Sequence, residues 1–316
     1  MSRRRSQRGF TLVELMVALT LFAILISGVL AVAVSMAQAY REQRQVTSTE
    51  ASVRGAMDFI SDALRGLSPG VASGNIQDVQ TCTIGAISVV NSTTGPDQMD
   101  VVVASGAVVT SLRTAYTVGG ATSTAITVTD ASQLAAGDTL LITNATVGHL
   151  VHVNSVNTST GAVTLVAPAC VPGLFPAAGY PVGSLVIRAV RARFRIGTFD
   201  GISNVLLMDV DADGLNEEPL AENIEDMQIA IGVDVNGDTG IATTEWAFSS
   251  GTGALAGPIR ALRVSLVSIE GTAMRNVTGA FLRPAAEDHP VATAPDAFRR
   301  RVLKSTVEIR NLGDSP

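Results

Sequence analysis

Three aspartates of this chain are spaced so that their carboxylates could share a metal ion. Asp209, Asp211 and Asp213 occupy alternate positions, and Gly214 follows them. This D-x-D-x-D-G spacing puts alternate carboxylates on one side of a turning loop, and the glycine allows a sharp bend. Such oxygen ligands suit Ca²⁺, but an EF-hand loop has a bidentate Glu where this chain has Leu220. The pattern predicts either a calcium loop of another kind or a solvated acidic turn.

A second acidic segment is a weaker copy of the first. It combines Asp234, Asn236 and Asp238 with two glycines, Gly237 and Gly240. The same two interpretations apply to it, with fewer carboxylates available to hold an ion.

No motif of the chain is typical of an enzyme. The sequence has no G-x-S-x-G nucleophile motif, no phosphate-binding Gly-rich loop and no Cys/His pair with zinc spacing. His149 and His152 are three residues apart in a β-like stretch, so they should face opposite sides of a strand, and His289 stands alone. We therefore expect a non-enzymatic protein that requires no cofactor.

One carboxylate lies at the head of a long apolar segment. Glu14 is followed by a stretch without charge from Leu15 to Tyr40. A charged side chain inside a membrane span costs about 2.5–3.5 kcal/mol on insertion scales, so it is usually retained for a partner. Four arginines precede the segment and predict that the N-terminus stays cytoplasmic while the rest is exported. They are Arg3, Arg4, Arg5 and Arg8.

The chain has two cysteines, Cys82 and Cys170. After export they would lie in an oxidising compartment, which favours a disulfide between them. Because the bond would close a long loop, it would stabilise the fold by about 4 kcal/mol in the chain-entropy model. Two buried free thiols are the alternative.

The apolar segment leads into an amphipathic helix that should position the rest of the chain. Residues 41–65 contain no proline, and apolar side chains recur on one helical face. These side chains are Val46, Val53, Met57, Ile60 and Leu64. We predict one helix from Phe10 to Leu64, about 80 Å long at 1.5 Å per residue. Its second half should pack against a globular head.

Beyond residue 70 the apolar period changes from helical to alternating, which predicts β-strands. The apolar sets fall in 190–196, 227–233, 262–266 and 303–309, and Arg191, Arg193 and Arg195 form a basic outer face on the first. Four such strands predict an antiparallel sheet packed on the helix. Residues 217–226 are predicted to form a short helix.

Residues 116–170 differ in composition from the rest of the head. They are rich in Thr, Val, Gly and Ala, and Asp130 and Asp138 are their only charged residues. Short alternating runs between turn residues predict a small inserted β-subdomain. The segment could be a partner-binding face or an extension of the scaffold.

The net charge of the exported part argues against direct nucleic-acid binding. The whole chain has a formal charge of −6, with 22 basic and 28 acidic residues. Without residues 1–9 it keeps 18 basic residues, so its charge becomes −10. An acidic protein repels the phosphate backbone.

The N-terminal residues resemble the class III signal of type IV pilins and pseudopilins. The resembling stretch is Arg8-Gly9-Phe10-Thr11-Leu12-Val13-Glu14-Leu15. In that family a dedicated prepilin peptidase cuts a basic leader after Gly, the new Phe N-terminus is methylated, and a Glu lies five residues into the mature chain. The resemblance implies cleavage between Gly9 and Phe10, N-methylation of Phe10 and an assembly role for Glu14.

Two C-terminal stretches resemble the PilW-type minor pilins. They are residues 222–234 and 299–312. The resemblance implies a low-abundance subunit that helps to start or cap a type IV pilus. Its implied partners are other major and minor pilins, the prepilin peptidase and the inner-membrane assembly machinery. The subunit would cross the inner membrane once with its head in the periplasm, and would reach the cell surface in the pilus.

These observations predict an α+β, pilin-like organisation of five parts. They are a leader (1–9), a transmembrane and assembly helix (10–40), its amphipathic continuation (41–66), a β-rich pilin head (67–115 and 171–316) and the inserted subdomain (116–170).

Two other functions fit parts of this pattern. A pseudopilin of a type II secretion system shares the signal and the helix. A membrane-anchored adhesin or binding module could use the inserted subdomain. An ordinary signal peptide cut before Tyr40, or a plain signal-anchor helix, would also explain the apolar run, but neither has a use for Glu14.

Overall fold

The computed structural model describes residues 11–71, 74–117, 124–169, 176, 178–238, 240–248, 257–270 and 279–309. It has an α+β fold with one long N-terminal helix and a large antiparallel β region, as predicted. The chain divides into two compact units, residues 1–48 and 49–316.

The first unit consists of the N-terminal part of helix α1, which as a whole extends over Leu12–Arg65. Every residue from 11 to 41 is exposed, although this stretch is almost entirely apolar. The helix is long and apolar enough to cross a membrane. The predicted start of the helix at Phe10 lies outside the described residues.

The second unit begins with the amphipathic end of α1. Four members of the predicted apolar stripe, Val53, Met57, Ile60 and Leu64, are buried, whereas Val46 is half-buried. The helix ends at Arg65, and the chain then turns at Ser68, which has a φ of 55°.

Fourteen strands follow among the described residues. They are β1 (Ile76–Asp78), β2 (Ile87–Val90), β3 (Gln98–Ser111), β4 (Ala125–Thr127), β5 (Thr139–Thr143), β6 (Gly148–Asn157), β7 (Ala162–Leu165), β8 (Leu185–Phe199), β9 (Ile202–Asp209), β10 (Glu218–Glu222), β11 (Ile224–Val233), β12 (Trp246–Ala247), β13 (Ile259–Ile269) and β14 (Arg300–Glu308).

The strands form two sheets rather than the single four-stranded sheet predicted for the apolar sets. A ten-stranded sheet contains β1–β10, and a four-stranded sheet has the order β12-β11-β13-β14. The set at 190–196 lies in β8, whereas the other three sets form β11, β13 and β14. Because alternation reports only which face of a strand is buried, it does not reveal which strands pair.

Strand β8 organises the large sheet. It pairs with β3 along one edge, and with β5 and then β9 along the other. The predicted helix over residues 217–226 is wrong, because these residues form β10 and the start of β11. Strand β10 pairs with β9 through an irregularity between Pro219 and Ala221, and Asn223 turns the chain with a φ of 63°. Cross-strand pairing here overrides the helical propensity of the acidic residues.

Two apolar clusters form the core of the second unit. The larger one unites the buried face of α1 with both sheets. At its edge the exposed Phe59 meets the buried Phe194 edge to face, with ring centroids 6.3 Å apart. The smaller one is built mainly from residues 126–165, with Tyr180 among its other members. The segment predicted as an insert is also hydrogen-bonded into the large sheet, because β5 pairs with β8.

Candidate functional site

The three carboxylates singled out in the sequence lie together in the loop that joins β9 to β10. Asp209 is the last residue of β9, and Asp211 and Asp213 follow in the loop. One oxygen from each of the three lies within 4.8 Å of the others. The chain can turn this tightly because Ala212 and Gly214 adopt positive φ angles of 57° and 82°. The predicted turning loop therefore brings the side chains to one place.

The environments of these carboxylates differ. Asp209 is buried, whereas Asp211 and Asp213 are exposed. The Gly214 N–H donates to Asp209 Oδ2 at 2.7 Å, and the Leu215 N–H donates to Asp213 Oδ1 at 2.7 Å. Slight loss of hydration in the loop raises the pKa of Asp211, and the neighbouring carboxylates of Asp209 and Asp213 raise it further. The loop thus concentrates negative charge that a cation would relieve.

The second acidic loop is organised differently. Asp234 is buried, and it accepts the Gly237 N–H at 2.7 Å on Oδ1. Its other oxygen, Oδ2, lies 3.4 Å from Arg260 Nε. The exposed Asp238 accepts hydrogen bonds from Asn236 Nδ2 and from the Gly240 N–H. An arginine of the protein itself therefore neutralises the buried carboxylate of this loop.

Glu14 lies in the first turn of α1, as the sequence predicts. The backbone N–H and the hydroxyl of Thr11 donate to Glu14 Oε2 at 3.0 and 2.9 Å, and the Glu14 N–H donates back to Thr11 Oγ1 at 3.3 Å. This reciprocal pattern is a capping box, which satisfies free N–H groups at a helix start. Gly9 and Phe10, the residues predicted for cleavage and methylation, lie outside the described residues.

The predicted disulfide falls partly outside the described residues, because Cys170 is not among them. Cys82 is described, and no described cysteine is free. Cys82 has a φ of 61°, in the turn between β1 and β2. The pairing of Cys82 with Cys170 stays a prediction.

The basic outer face predicted on β8 is only partly exposed, and its arginines are engaged in ion pairs. Arg193 donates from Nε and Nη2 to the two oxygens of Asp100 at 2.9 and 3.0 Å, and Arg195 makes the same kind of forked contact with Glu217. Arg191 is buried, with its Nε 3.7 Å from Asp78 Oδ2. These arginines pair with acidic residues far away in the sequence, so they are not free to receive an acidic partner.

A buried polar cluster around Asp226 is absent from the sequence-based predictions. His289 Nδ1 lies 2.7 Å from Asp226 Oδ2, and Arg283 Nη1 donates to the same oxygen at 3.2 Å. Asp97 accepts the backbone N–H groups of Ser92 and Ile229 at 2.8 Å each. Burial, opposed by these two N–H groups, raises the pKa of Asp97 to about 7.

Only one signal in the sequence pointed to this cluster. Asp226 is a charged residue beside the inward-facing apolar set of residues 227–233, where a charge is costly unless it is paired. Its partner His289 is 63 residues away along the chain, so local periodicity could not identify it. The cluster has the character of a structural clamp, because its hydrogen bonds tie the segment that precedes β14 to β11.

Two comparisons with known families find matches in this chain. Residues 4–30 match the model described as the prokaryotic N-terminal methylation motif, and residues 194–311 match the model described as Type IV Pilus-assembly protein W. The first contains Glu14, and the second contains both acidic loops and, from the Asp226 cluster, Asp226, Arg283 and His289. No curated protein and no solved structure matches the chain. The two resemblances recognised in the sequence are confirmed.

Proposed function

We propose that this type IV pilus-associated protein, which carries a prepilin motif and matches the PilW family model, is a minor pilin that helps to initiate or cap pilus assembly. The observation that carries the proposal is the presence of both matches in one chain, in the order expected of such a subunit. The PilW model describes a pilus-assembly protein, which supports a non-enzymatic role.

The helix supports a role in a filament. The prepilin motif and the apolar helix indicate membrane anchoring. Residues 11–41 expose an apolar surface on every side, as a helix does when it exchanges lipid for neighbouring helices. We propose that this part lies in the inner membrane before assembly and in the pilus core afterwards.

Glu14 is the proposed assembly residue. In a medium of low dielectric constant an unpaired carboxylate is costly, whereas a carboxylate beside a positive charge is tolerated. Cleavage after Gly9 would create such a charge at the N-terminus of Phe10. Pairing of Glu14 with the Phe10 amine of a neighbouring subunit would fix the axial register of the helices.

The head is proposed to have a pilin-like organisation. The amphipathic end of α1, residues 49–65, packs against both sheets in the large core cluster, which supports this reading. Residues 116–170 contribute most of the second cluster, which supports a subdomain, although β5 is hydrogen-bonded to β8. The head would lie in the periplasm and then on the pilus surface, where oxidation would form the disulfide of Cys82 and Cys170.

The mass of the N-terminal peptide of the mature protein tests the processing step. We expect a peptide that begins at Phe10 and carries a methyl group, because on this proposal the prepilin peptidase would recognise the motif at residues 4–30. In cells that lack this peptidase, the leader of residues 1–9 should remain attached. A mature protein that begins at Tyr40, or an uncut leader in normal cells, would contradict the proposal.

Deletion of the gene separates the minor pilin from the two alternatives. We expect the deletion strain to lose its surface pili and to lose twitching or DNA uptake. Its secretion of exoproteins should stay normal. Loss of exoprotein secretion with normal pili would instead identify a pseudopilin of a type II secretion system. A membrane-anchored adhesin would leave both systems intact, and the protein would bind its ligand without other pilins.

A further inference from the structure

We propose that the loop between β9 and β10 is a cation site that takes Ca²⁺ through the carboxylates of Asp209, Asp211 and Asp213. One oxygen of each lies within 4.8 Å of the others. Ca²⁺ binds oxygens at about 2.3–2.6 Å, so two ligand oxygens on one ion lie at most about 5 Å apart. The observed spacing of the three oxygens therefore allows them to bind one ion without a rearrangement of the loop.

The burial of Asp209 points independently to a ligand. This side chain is 1% exposed, and its Oδ1 has no hydrogen-bond partner among the residues that the structure describes. Its other oxygen accepts the Gly214 N–H at 2.7 Å. A buried carboxylate oxygen without a donor leaves part of its desolvation cost uncompensated. A cation held with Asp211 and Asp213 would supply the missing contact.

The arginine on the neighbouring strand does not donate the hydrogen bond that Asp209 Oδ1 lacks among the described residues. Arg193 is directly opposite Asp209 in the β8–β9 pairing, and directly opposite Asp100 in the β3–β8 pairing. The three side chains thus form a row across neighbouring strands. The guanidinium of Arg193 donates to both oxygens of Asp100, at 2.9 and 3.0 Å. Both of its hydrogen bonds therefore go to Asp100, and it attracts Asp209 through charge without donating to it.

The donor set selects the kind of cation. All three side chains offer hard carboxylate oxygens, and none offers the nitrogen or sulfur that Zn²⁺ prefers. Asp211 and Asp213 are exposed, so water can complete the coordination shell of a large ion. Mg²⁺ requires near-ideal octahedral geometry at about 2.0–2.1 Å and releases its waters reluctantly. An irregular, half-open loop suits Ca²⁺ better.

The second acidic loop provides an internal control. It has a similar sequence pattern, but its buried carboxylate, Asp234, already lies 3.4 Å from Arg260 Nε and accepts the Gly237 N–H. The positive charge that a metal would contribute is therefore present in the protein. We expect this loop to bind no Ca²⁺.

Calorimetry on the full-length protein in detergent micelles, titrated with CaCl₂ after removal of chelator, tests the site. We expect saturable binding within the range of about 10⁻⁴–10⁻³ M that is typical of extracellular calcium modules. Asp211→Asn and Asp213→Asn should each weaken binding at least tenfold, because each removes a charged ligand. Both residues are exposed, so the variants should fold. Asp238→Asn, the matched change in the second loop, should leave the affinity within about twofold of the unchanged protein.

Four results would overturn the proposal of a calcium site. One is the lack of saturable binding up to about 10 mM CaCl₂, which is well above the range for such modules. The second is an affinity that survives both Asp211→Asn and Asp213→Asn. The third is an equal loss of affinity in Asp238→Asn. MgCl₂ titrated in the same way should bind at least tenfold more weakly, and equal binding would contradict the choice of Ca²⁺. The test does not depend on pilus formation.

Discussion

Glu14→Ala is expected to reduce incorporation of the protein into pili at least tenfold while leaving leader cleavage intact. The variant removes the one carboxylate of the apolar segment, and with it the proposed pair with the Phe10 amine of a neighbouring subunit. Loss of a charge pair in low dielectric costs well over 1.4 kcal/mol, which corresponds to a factor of ten in an equilibrium. The measurement is immunoblotting of sheared pili, normalised to the processed protein in the membrane.

Two further variants separate the charge from other roles of Glu14. Glu14→Gln keeps a hydrogen-bond acceptor for the Thr11 N–H and hydroxyl, which now donate at 3.0 and 2.9 Å, but it removes the charge. It should therefore fail like Glu14→Ala. Thr20→Ala is the matched control, because the Thr20 hydroxyl is satisfied by its own helix at Val17 O, 2.9 Å away. Normal pilus incorporation of Glu14→Gln would show that the capping box, and not the charge, matters.

Asp78→Asn is expected to destabilise the fold by about 3 kcal/mol, because it leaves a buried arginine without its nearest counter-charge. Arg191 is 3% exposed, and its Nε lies 3.7 Å from Asp78 Oδ2. Burial lowers the pKa of Arg191, and the charges of Asp78 and Asp100 oppose this effect. The asparagine keeps an acceptor for the Gln80 N–H, which now donates to Asp78 Oδ1 at 2.9 Å. The loss of stability in this variant should therefore come from removal of the negative charge and not from a lost hydrogen bond.

Chemical unfolding of the full-length protein in detergent micelles measures this effect. The double variant Asp78→Asn with Arg191→Met should recover at least half of the lost stability, because it removes the stranded charge. Asp62→Asn is the control, since Asp62 and Arg65 form a largely exposed pair worth less than about 1 kcal/mol. If Asp78→Asn were as mild as Asp62→Asn, the buried pair would have no structural importance.

The free energy of unfolding at acid pH gives a second test of the contribution of Asp78. Burial would raise the pKa of this carboxyl, but His152 and the N–H groups of Gln80 and Thr81 outweigh it and lower the pKa to about 2. The unfolded value is about 3.9, so the unfolded chain binds more protons between these values and stability rises with pH there. This contribution, about 2.5 kcal/mol, is complete above about pH 5 and is lost progressively as the pH falls through about 4 to 2. The Asp78→Asn variant should lose correspondingly less stability between pH 5 and pH 2.

The sequence by itself determined the features that depend on neighbouring residues. The prepilin motif around Glu14 and the helix that follows it are local patterns. Helical hydrogen bonds join residues four positions apart, and membrane insertion depends on one continuous apolar segment. The buried stripe of α1 and the strands at 190–196 and 227–233 were likewise readable from their periods. The acidic loop could be located from its spacing, because all its members lie within six residues.

Only the tertiary structure decided how distant residues combine. The pairing of Arg193 with Asp100 joins positions 93 residues apart, and it turned a predicted basic surface into an internal ion pair. The contact between His289 and Asp226 also joins residues that are distant in the sequence. Pairing with β9 likewise makes a strand of residues 218–222, which were predicted to be part of a helix. The burial of Asp209, which distinguishes the first acidic loop from the second, also depends on strand packing. Register and burial are set by contacts summed over the whole fold, and no local pattern encodes them.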